Sequence, residues 1–561
     1  MARFGEALVE ATEVAQRWAM HDPDPSTRGQ LDALIDAGDP ALIRLFSGRI
    51  SFGTAGLRAA VGPGPNHMNA LVVRQTTVAL VRWLQAGGAA TPRIVIGFDA
   101  RHDSQRFAEH TAAAVVAAGG VPLLANGHAP TPVFALAVLT EGADAGVVIT
   151  ASHNPPADNG FKLYLGDGIQ LVAPADSEIA AEIDHVAAAW SQHGVVVDDV
   201  FADRLSSDCL NVDDWIANHR QAAVKALRTN ARTIDAVHTS MHGVGGAPIA
   251  AAFEAAGFAV PTPVAAQHEP DPNFPTVQFP NPEEPGALDL AIDLANECGA
   301  DVVLANDPDA DRLAVAVRAR AGSAFAPLSG NELGLLLADH MLRHTEGSNR
   351  VVSRSVVSTR QLDAMAAAAG VHCYVTLTGF KWIARPMLNP AHKFIFGFEE
   401  AIGYCVGDRV RDKDGITAAL VAAEAIAGLG EQGKTVWDRF DELAIEHGVY
   451  ASQPLTVRFD DDPIRVAALV AKITEQPPSA LGDSPMTQSG PLGFGSLPPT
   501  SGLHLLAEDR SQVIVRPSGT EPKVKAYIEV VEPVAEDVTA ARVTALDRLA
   551  AIVSQISTAL T

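Results

Sequence analysis

Thr150-Ala151-Ser152-His153-Asn154-Pro155-Pro156, followed by Asn159-Gly160-Phe161-Lys162, decides the reading of this chain. Just before it runs Ala145-Gly146-Val147-Val148-Ile149, an apolar run that reads as a buried strand. Asn154-Pro155-Pro156 can continue neither a helix nor a central strand, because proline fixes φ and lacks an N–H. Ser152 is therefore expected at a strand exit, with the His153 imidazole beside it and the Lys162 ammonium on the same stiff loop. In open α/β sheets the carboxyl ends of strands are where ligands bind. A Ser-His-Asn triplet also describes an ordinary strand exit, and adjacency does not place His153 on Ser152 as a base. A distant acidic motif, which a phosphorylated serine explains, changes the balance.

That motif is Asp307-Pro308-Asp309-Ala310-Asp311-Arg312, at the end of the expected strand Asp301-Val302-Val303-Leu304-Ala305-Asn306. Carboxylates at every second position repel one another unless a cation neutralises them. Hard oxygen ligands on a tight loop favour Mg²⁺. A calcium EF-hand is disfavoured, since Arg312 occupies its turn-glycine position and Arg318 stands where the bidentate Glu belongs.

Further loops carry chemistry. Ser51-Phe52-Gly53-Thr54-Ala55-Gly56-Leu57-Arg58 is either a turn with a solvated arginine or a loop that approaches an anion, with Arg58 making a forked contact. Phe398-Glu399-Glu400-Ala401-Ile402-Gly403-Tyr404 follows an apolar run. Its carboxylates suit paired sugar hydroxyls or, equally, the acidic start of a helix. Arg516-Pro517-Ser518-Gly519-Thr520-Glu521-Pro522-Lys523 collects a guanidinium, hydroxyls, backbone N–H groups and an ammonium, a set suited to phosphate. Met241-His242-Gly243-Val244-Gly245-Gly246 is a phosphate cradle or a tight connection. A serine that could carry phosphate, a Mg²⁺ site, a hydroxyl-reading loop and a phosphate clamp together describe phosphoryl transfer to a sugar phosphate.

The chain of 561 residues is too long for one core, and its 47% hydrophobic and 19% charged content is globular rather than disordered. A net charge of −25 disfavours nucleic acid and anionic membranes as partners. Four scattered cysteines without a Cys-x-x-Cys pair read as a reduced, cytoplasmic chain, with no disulfide framework and no zinc ribbon. Neither a signal peptide nor a membrane span is expected: the longest uncharged stretch, Thr111 to His128, is broken by Gly119-Gly120-Val121-Pro122. Helical spacing from Ala7 to Phe46 predicts an N-terminal extension, interrupted at Asp22-Pro23-Asp24-Pro25. A unit then recurs in which an Ala-rich helix ends at a glycine and an apolar strand follows, as at Ala255-Ala256-Gly257-Phe258 and Cys298-Gly299-Ala300-Asp301-Val302. This alternation predicts α/β folding with mostly parallel pairing. Near the C-terminus, strands at 511–515 and 524–530 and a helix from Val538 to Leu560 read as a small α+β domain. The expected division is 1–48 (helical extension), 49–205 (serine), 206–325 (acidic loop), 326–455 (sugar loop) and 456–561 (phosphate loop). A Pro/Gly/Ser-rich insertion fills 476–502 of the last part.

The motifs at 150–155, 307–312, 397–403 and 516–523 resemble those of the α-D-phosphohexomutases, the phosphoglucomutase/phosphomannomutase family, in order and spacing from about Ser51 to Val530. Thr378-Gly379-Phe380-Lys381 and the proline-rich loop Asp271–Pro285 look like the phosphoglucomutase-2 and phosphopentomutase-like branch. The resemblance implies a four-domain fold around a central cleft: three similar α/β domains and a smaller, mobile C-terminal α+β domain. It implies Ser152 as the phosphoserine, with Asp307, Asp309, Asp311 and a Ser152 phosphoryl oxygen holding one Mg²⁺. Arg58 and Lys162 would flank the transferring phosphoryl, Lys162 as acid/base, with His153 and Arg312 beside them. Thr378, Gly379, Lys381, Glu399 and Ala401 would meet the sugar, and Arg516, Ser518, Gly519, Thr520 and Lys523 the non-reacting phosphate. The implied reaction interconverts hexose 1- and 6-phosphates through a 1,6-bisphosphate, which also serves as activator, in a monomer or homodimer. The sugar loop departs from the family pattern: Ala401 replaces a common Ser, one residue is added before Gly403, and Tyr404 stands where some phosphomannomutases have His. Phosphopentomutase activity and Mg²⁺-dependent phosphatase activity are the alternatives. In a haloacid-dehalogenase-like phosphatase Asp307 would be the nucleophile, and Asp311 argues against that reading.

Overall fold

The computed structural model describes residues 2–50, 56–193, 209–320, 324–459, 463–493, 500–517 and 523–560. They fall into two compact units, one of Met1–Leu227, Arg232–Pro327 and Gly403–Ala423, the other of Arg228–Ala231, Leu328–Ile402 and Glu424–Thr561.

The first unit opens with the expected helical extension. Helix Ala2–His21 is followed by Pro25–Ala37, which starts because Asp24 accepts the Ser26 N–H and Pro25 preorganises the first turn. Ala15, Leu31 and Leu42 bury its small core against Trp18.

Two five-stranded sheets follow. The first contains β1 (Leu57–Ala60), β2 (Arg93–Phe98), β3 (Val121–Leu124), β4 (Ala145–Ile149) and β5 (Asp158–Leu165), in the order β1-β5-β4-β2-β3. The second contains β6 (Ala236–Thr239), β7 (Thr262–Pro263), β8 (Val302–Ala305), β9 (Ala314–Arg318) and β10 (Phe325–Pro327), in the order β10-β9-β8-β6-β7. β2 runs parallel to β3 and β4, and β6 to β7 and β8. The β4–β5, β5–β1, β8–β9 and β9–β10 pairs are antiparallel. The expectation of mostly parallel pairing is corrected for these sheets. The reason is connection length: the segments after β4 and β8 are too short for a crossover, so the next strand must fold back.

Helix Thr131–Thr140 lies directly on the first sheet. A Cβ on Gly97 would come within 2.3 Å of Phe134, and one on Gly146 equally close to Val138. Glycine at these strand positions therefore lets the helix approach, and it fixes where Thr131 points.

In the second unit β11 (Arg350–Ser355) pairs in parallel with β12 (His372–Thr376) and β13 (Lys393–Glu399). β13 ends in a turn rather than a helix, so the Glu399-Glu400 pair is not the acidic start of a helix; β14 (Gly403–Val406), in the first unit, continues the chain. The last sheet is antiparallel throughout. It orders β15 (Val449–Arg458), β16 (Ala480–Leu481), β17 (Ser484–Pro491), β18 (Leu503–Ala507), β19 (Gln512–Pro517) and β20 (Lys523–Glu532) as β15-β20-β19-β18-β17-β16. Helix Val538–Leu560 packs on β15 and β20. The architecture is the expected four-domain one, three α/β domains and a C-terminal α+β domain. Position 455, the expected end of the sugar-loop domain, lies within β15. The stretch 476–502, read as an insertion, supplies β16 and β17 to the sheet. Its prolines and glycines masked a strand whose partner, β18, lies only on one side apart from the short β16.

Candidate active site

Ser152 lies where β4 ends, as expected, in a left-handed conformation (φ 52°) that bends the chain sharply. Its N–H donates to Thr150 Oγ1 at 2.9 Å, and its Oγ donates to Asp307 Oδ2 at 2.7 Å. Both side chains are buried. Arg58, on β1, donates from Nη1 to Asn154 Oδ1 at 3.0 Å, which sets it beside the serine loop. Lys162, on β5, is buried and donates to Asp309 Oδ2 and Asp311 Oδ2, both at 2.7 Å. His153 is half-buried, and burial with the charges of Arg312 and Arg58 lowers its pKa to about 2. The ring therefore stays neutral at ordinary pH and adds no charge to the site.

Asp307, Asp309 and Asp311 leave the end of β8 and converge: one oxygen from each lies within 4.8 Å of the others. All three are fully buried, an arrangement that water cannot stabilise. Burial and the charges of Asp309 and Asp311 push Asp307 well above the usual carboxylate range. Burial acts on Asp309 in the same sense, but Lys162 outweighs it and holds that carboxyl low. Burial would lower the Lys162 ammonium, yet Asp309 and Asp311 raise it. Asp309 Oδ1 and Asp311 Oδ1 are buried without a hydrogen-bond partner among the described residues. Hard oxygens facing one another, some of them unsatisfied, fit a small divalent cation. Arg312 sits at the rim, with Nη1 3.7 Å from Glu283 of the proline-rich loop.

The acidic loop is held from behind. Val244 N–H donates to the Pro308 carbonyl at 2.9 Å, and a Cβ on Gly243 would fall 2.2 Å from Pro308 Cα. In the Met241–Gly246 turn the His242, Gly243 and Val244 N–H groups go to the Gln267, Ser240 and Pro308 carbonyls, so this part of the turn acts as a buttress. Asn306 Nδ2 binds the Arg312 carbonyl at 2.6 Å, and Thr131 Oγ1 donates to Asp309 Oδ2 at 2.6 Å.

Sequence reasoning missed three of these partners. Thr131 opens an apolar helix and has no local signal. Lys413, in Arg411-Asp412-Lys413-Asp414, places Nζ 3.2 Å from Asp311 Oδ2; its charged neighbours were the available signal. Arg101 follows β2 and donates to carbonyls of the serine loop.

The second unit, taken by itself, holds the expected sugar and phosphate residues. Glu399 ends β13, is buried, and accepts the Gly379 N–H at 3.1 Å. Thr378, Gly379 and Lys381 are half-buried around the start of a short helix, Phe380–Ile383. Glu400 turns inward and accepts from Ser355 and Ser358 hydroxyls at 3.1 Å each. Ala401 lies in the turn after β13. Arg516, at the end of β19, donates to Thr378 Oγ1, so the structure brings one member of the phosphate motif onto the sugar loop. Lys523 starts β20 opposite Arg458. Ser518, Gly519 and Thr520 lie outside the described residues.

Models of phosphoglucomutase/phosphomannomutase α/β/α domains I, II and III match residues 49–189, 213–322 and 329–445. A probable phosphomannomutase of Haemophilus influenzae is 39% identical over 82% of this chain and 93% of its own length. A phosphopentomutase of Pongo abelii is 35% identical over 94% of this chain and 93% of its own. A glucose 1,6-bisphosphate synthase of Homo sapiens is 33% identical over 91% and 89%.

Proposed function

The chain belongs to the phosphoglucomutase/phosphomannomutase family, and from that premise we propose that it is a mutase that moves a phosphoryl group between the 1- and 6-hydroxyls of a hexose through Ser152. The observation that carries the reading is the Ser152 hydroxyl bound to Asp307, inside a buried set of three carboxylates and a lysine.

In this reading Ser152 carries a phosphoryl group at rest. The free hydroxyl of a hexose monophosphate attacks phosphorus, the P–Oγ bond breaks, and a hexose 1,6-bisphosphate forms. The proton of the attacking hydroxyl ends on the departing Ser152 Oγ, and the Lys162 ammonium, kept charged by Asp309 and Asp311, would be the acid of that exchange, giving a proton to Oγ and regaining one from the hydroxyl. The bisphosphate turns end for end and returns its other phosphoryl to Ser152. Arg58 and Arg312 offset the charge on the transferring oxygens. Asp307, Asp309 and Asp311 would hold one Mg²⁺, which supplies charge neutralisation at a phosphoryl oxygen. His153 stays uncharged beside the serine. Glu399, with the Thr378–Lys381 loop, would bind sugar hydroxyls, and Ala401 leaves room where a serine is common. Arg516, Ser518, Gly519, Thr520 and Lys523 would bind the phosphate that does not react. Membrane-spanning helices are absent among the described residues, in keeping with water-soluble sugar-phosphate substrates, and we place the enzyme in the cytoplasm as a monomer or homodimer.

A second reading, phosphopentomutase, is favoured by the 35% identity to an enzyme of that name along almost the whole chain. Phosphorus NMR with Mg²⁺ and a trace of glucose 1,6-bisphosphate tests both. Conversion of glucose 1-phosphate or mannose 1-phosphate to the 6-phosphate without free phosphate supports the hexose reading. A clear preference for ribose 1-phosphate selects the pentose reading, and inorganic phosphate as the main product overturns both.

A further inference from the structure

The proline-rich loop Asp271–Pro285 and the polar loop after β2 have no part in the chemistry above, yet they meet beneath Ser152. Arg101 is buried, with a side chain only 1% exposed. Its Nη2 donates to the carbonyls of Ser152 and Asn154, both at 2.5 Å. Its Nη1 donates to the carbonyls of Pro155, at 2.8 Å, and Asp158, at 3.3 Å. Nε faces Asp99 Oδ2 at 3.5 Å, and Asp99 Oδ1 accepts the Arg101 N–H and the Ser104 hydroxyl. The guanidinium carbon Cζ lies over the ring of Phe274, 4.9 Å from its centroid; Phe274 is buried and itself held at φ 47°. Asn273, next in the chain, meets His102 at 2.9 Å.

These contacts have one common effect. The serine loop cannot be held by ladder hydrogen bonds, because Pro155 and Pro156 remove donors and Ser152 adopts a left-handed turn. Its carbonyls point instead at one planar cation. A guanidinium can reach four acceptors in a plane while stacking on an aromatic ring, and an ammonium cannot. We propose that Arg101, backed by the Phe274 ring, is the positioning residue that fixes the Ser152 loop so that Oγ is aimed at the acidic triad. The proline-rich loop thereby acts on catalysis without touching substrate. This inference rests on the mutase reading of Ser152.

The test compares wild type, Arg101→Lys, Arg101→Ala and Phe274→Leu with whichever sugar phosphate the wild type turns over, each variant first checked by circular dichroism and thermal melting. Arg101→Lys should lower kcat roughly 10- to 100-fold, the cost of a nucleophile about 1 Å out of place. KM should stay within about twofold, because groups that bind the sugar phosphate are untouched. Phe274→Leu should lower kcat by a smaller factor, about threefold to tenfold, and guanidinium ion should restore part of the activity of Arg101→Ala but none of that of Ser152→Ala. A folded Arg101→Lys with wild-type kcat overturns the inference, as does a loss that falls on KM. If neither arginine variant folds, Phe274→Leu decides, and an unchanged kcat there overturns it. A wild type with no mutase activity on any sugar phosphate would instead remove the mutase reading itself.

Discussion

The two sheets of the first unit are built alike and armed oppositely. In each, two parallel pairs are followed by a strand that folds back, and the fold-back loop carries the side chains to which the proposed function assigns the chemistry. Those loops are residues 150–157 and 306–313, eight residues each, and each contains a left-handed residue, Ser152 (φ 52°) or Ala310 (φ 53°). The first loop presents a hydroxyl and is held by arginines, Arg101 on its carbonyls and Arg58 on Asn154. The second presents carboxylates and is held by neutral groups: the Gly243–Val244 backbone, Asn306 and Thr131. The cations near its carboxylates, Lys162 and Lys413, touch the charges rather than the backbone. One backbone device thus serves twice, with cations supporting the loop that presents a hydroxyl and neutral groups supporting the loop that presents carboxylates.

This comparison can be broken most directly at the nucleophile. Ser152→Ala should lower mutase turnover by roughly 10⁴-fold or more while the melting temperature stays near wild type. Full activity in that variant, with loss in Asp307→Ala, would reverse the roles of the two loops. Next in size is the cation site. Chelation should abolish activity and added Mg²⁺ restore it, and Asp309→Asn should cost roughly 10²–10³-fold in kcat even with excess Mg²⁺. Unchanged rates after exhaustive chelation would detach the acidic loop from metal chemistry. A purely mechanical difference follows: Gly243→Ala should destabilise the chain by about 1–3 kcal/mol in urea unfolding, because its Cβ collides with Pro308. Wild-type stability would mean that the acidic loop does not depend on that buttress. Thr131→Val should cost only about 1 kcal/mol, since Lys162 still satisfies Asp309 Oδ2. The smallest effect concerns pH. His153, lowered to about 2, gains a proton only in strong acid, so His153→Gln should leave the acid limb of the kcat profile in place. A limb that moves by a full pH unit would assign that titration to the imidazole.

Much of the architecture was legible along the chain. Short apolar runs that give way to polar loops located β4, β8 and β13, and the Asp22–Pro25 break separated the first two helices. Strand direction was less legible: alternation of helix and strand suggested parallel pairing, and the short loops after β4 and β8 forced hairpins. β17 was hidden because beyond Pro485 it pairs on one side only, with β18, and such a strand needs little hydrophobic alternation and tolerates Gly490.

By itself the sequence determined which groups this protein brings to its chemistry: a serine and a lysine after one strand, alternating aspartates after another, and the buried runs that aim both. These are local properties, written in periodicity and in the conformational limits of Pro, Gly and Asp. Only the tertiary structure decided which of them meet. Ser152 and Asp307 come within 2.7 Å because two sheets of the same topology present their fold-back loops to each other. Lys162 reaches Asp309 and Asp311, and Arg101 the serine loop, because neighbouring strands in a sheet are distant in sequence. Such contacts are set by strand order and register, which depend on how all the buried surfaces fit at once, and no single stretch of sequence encodes that.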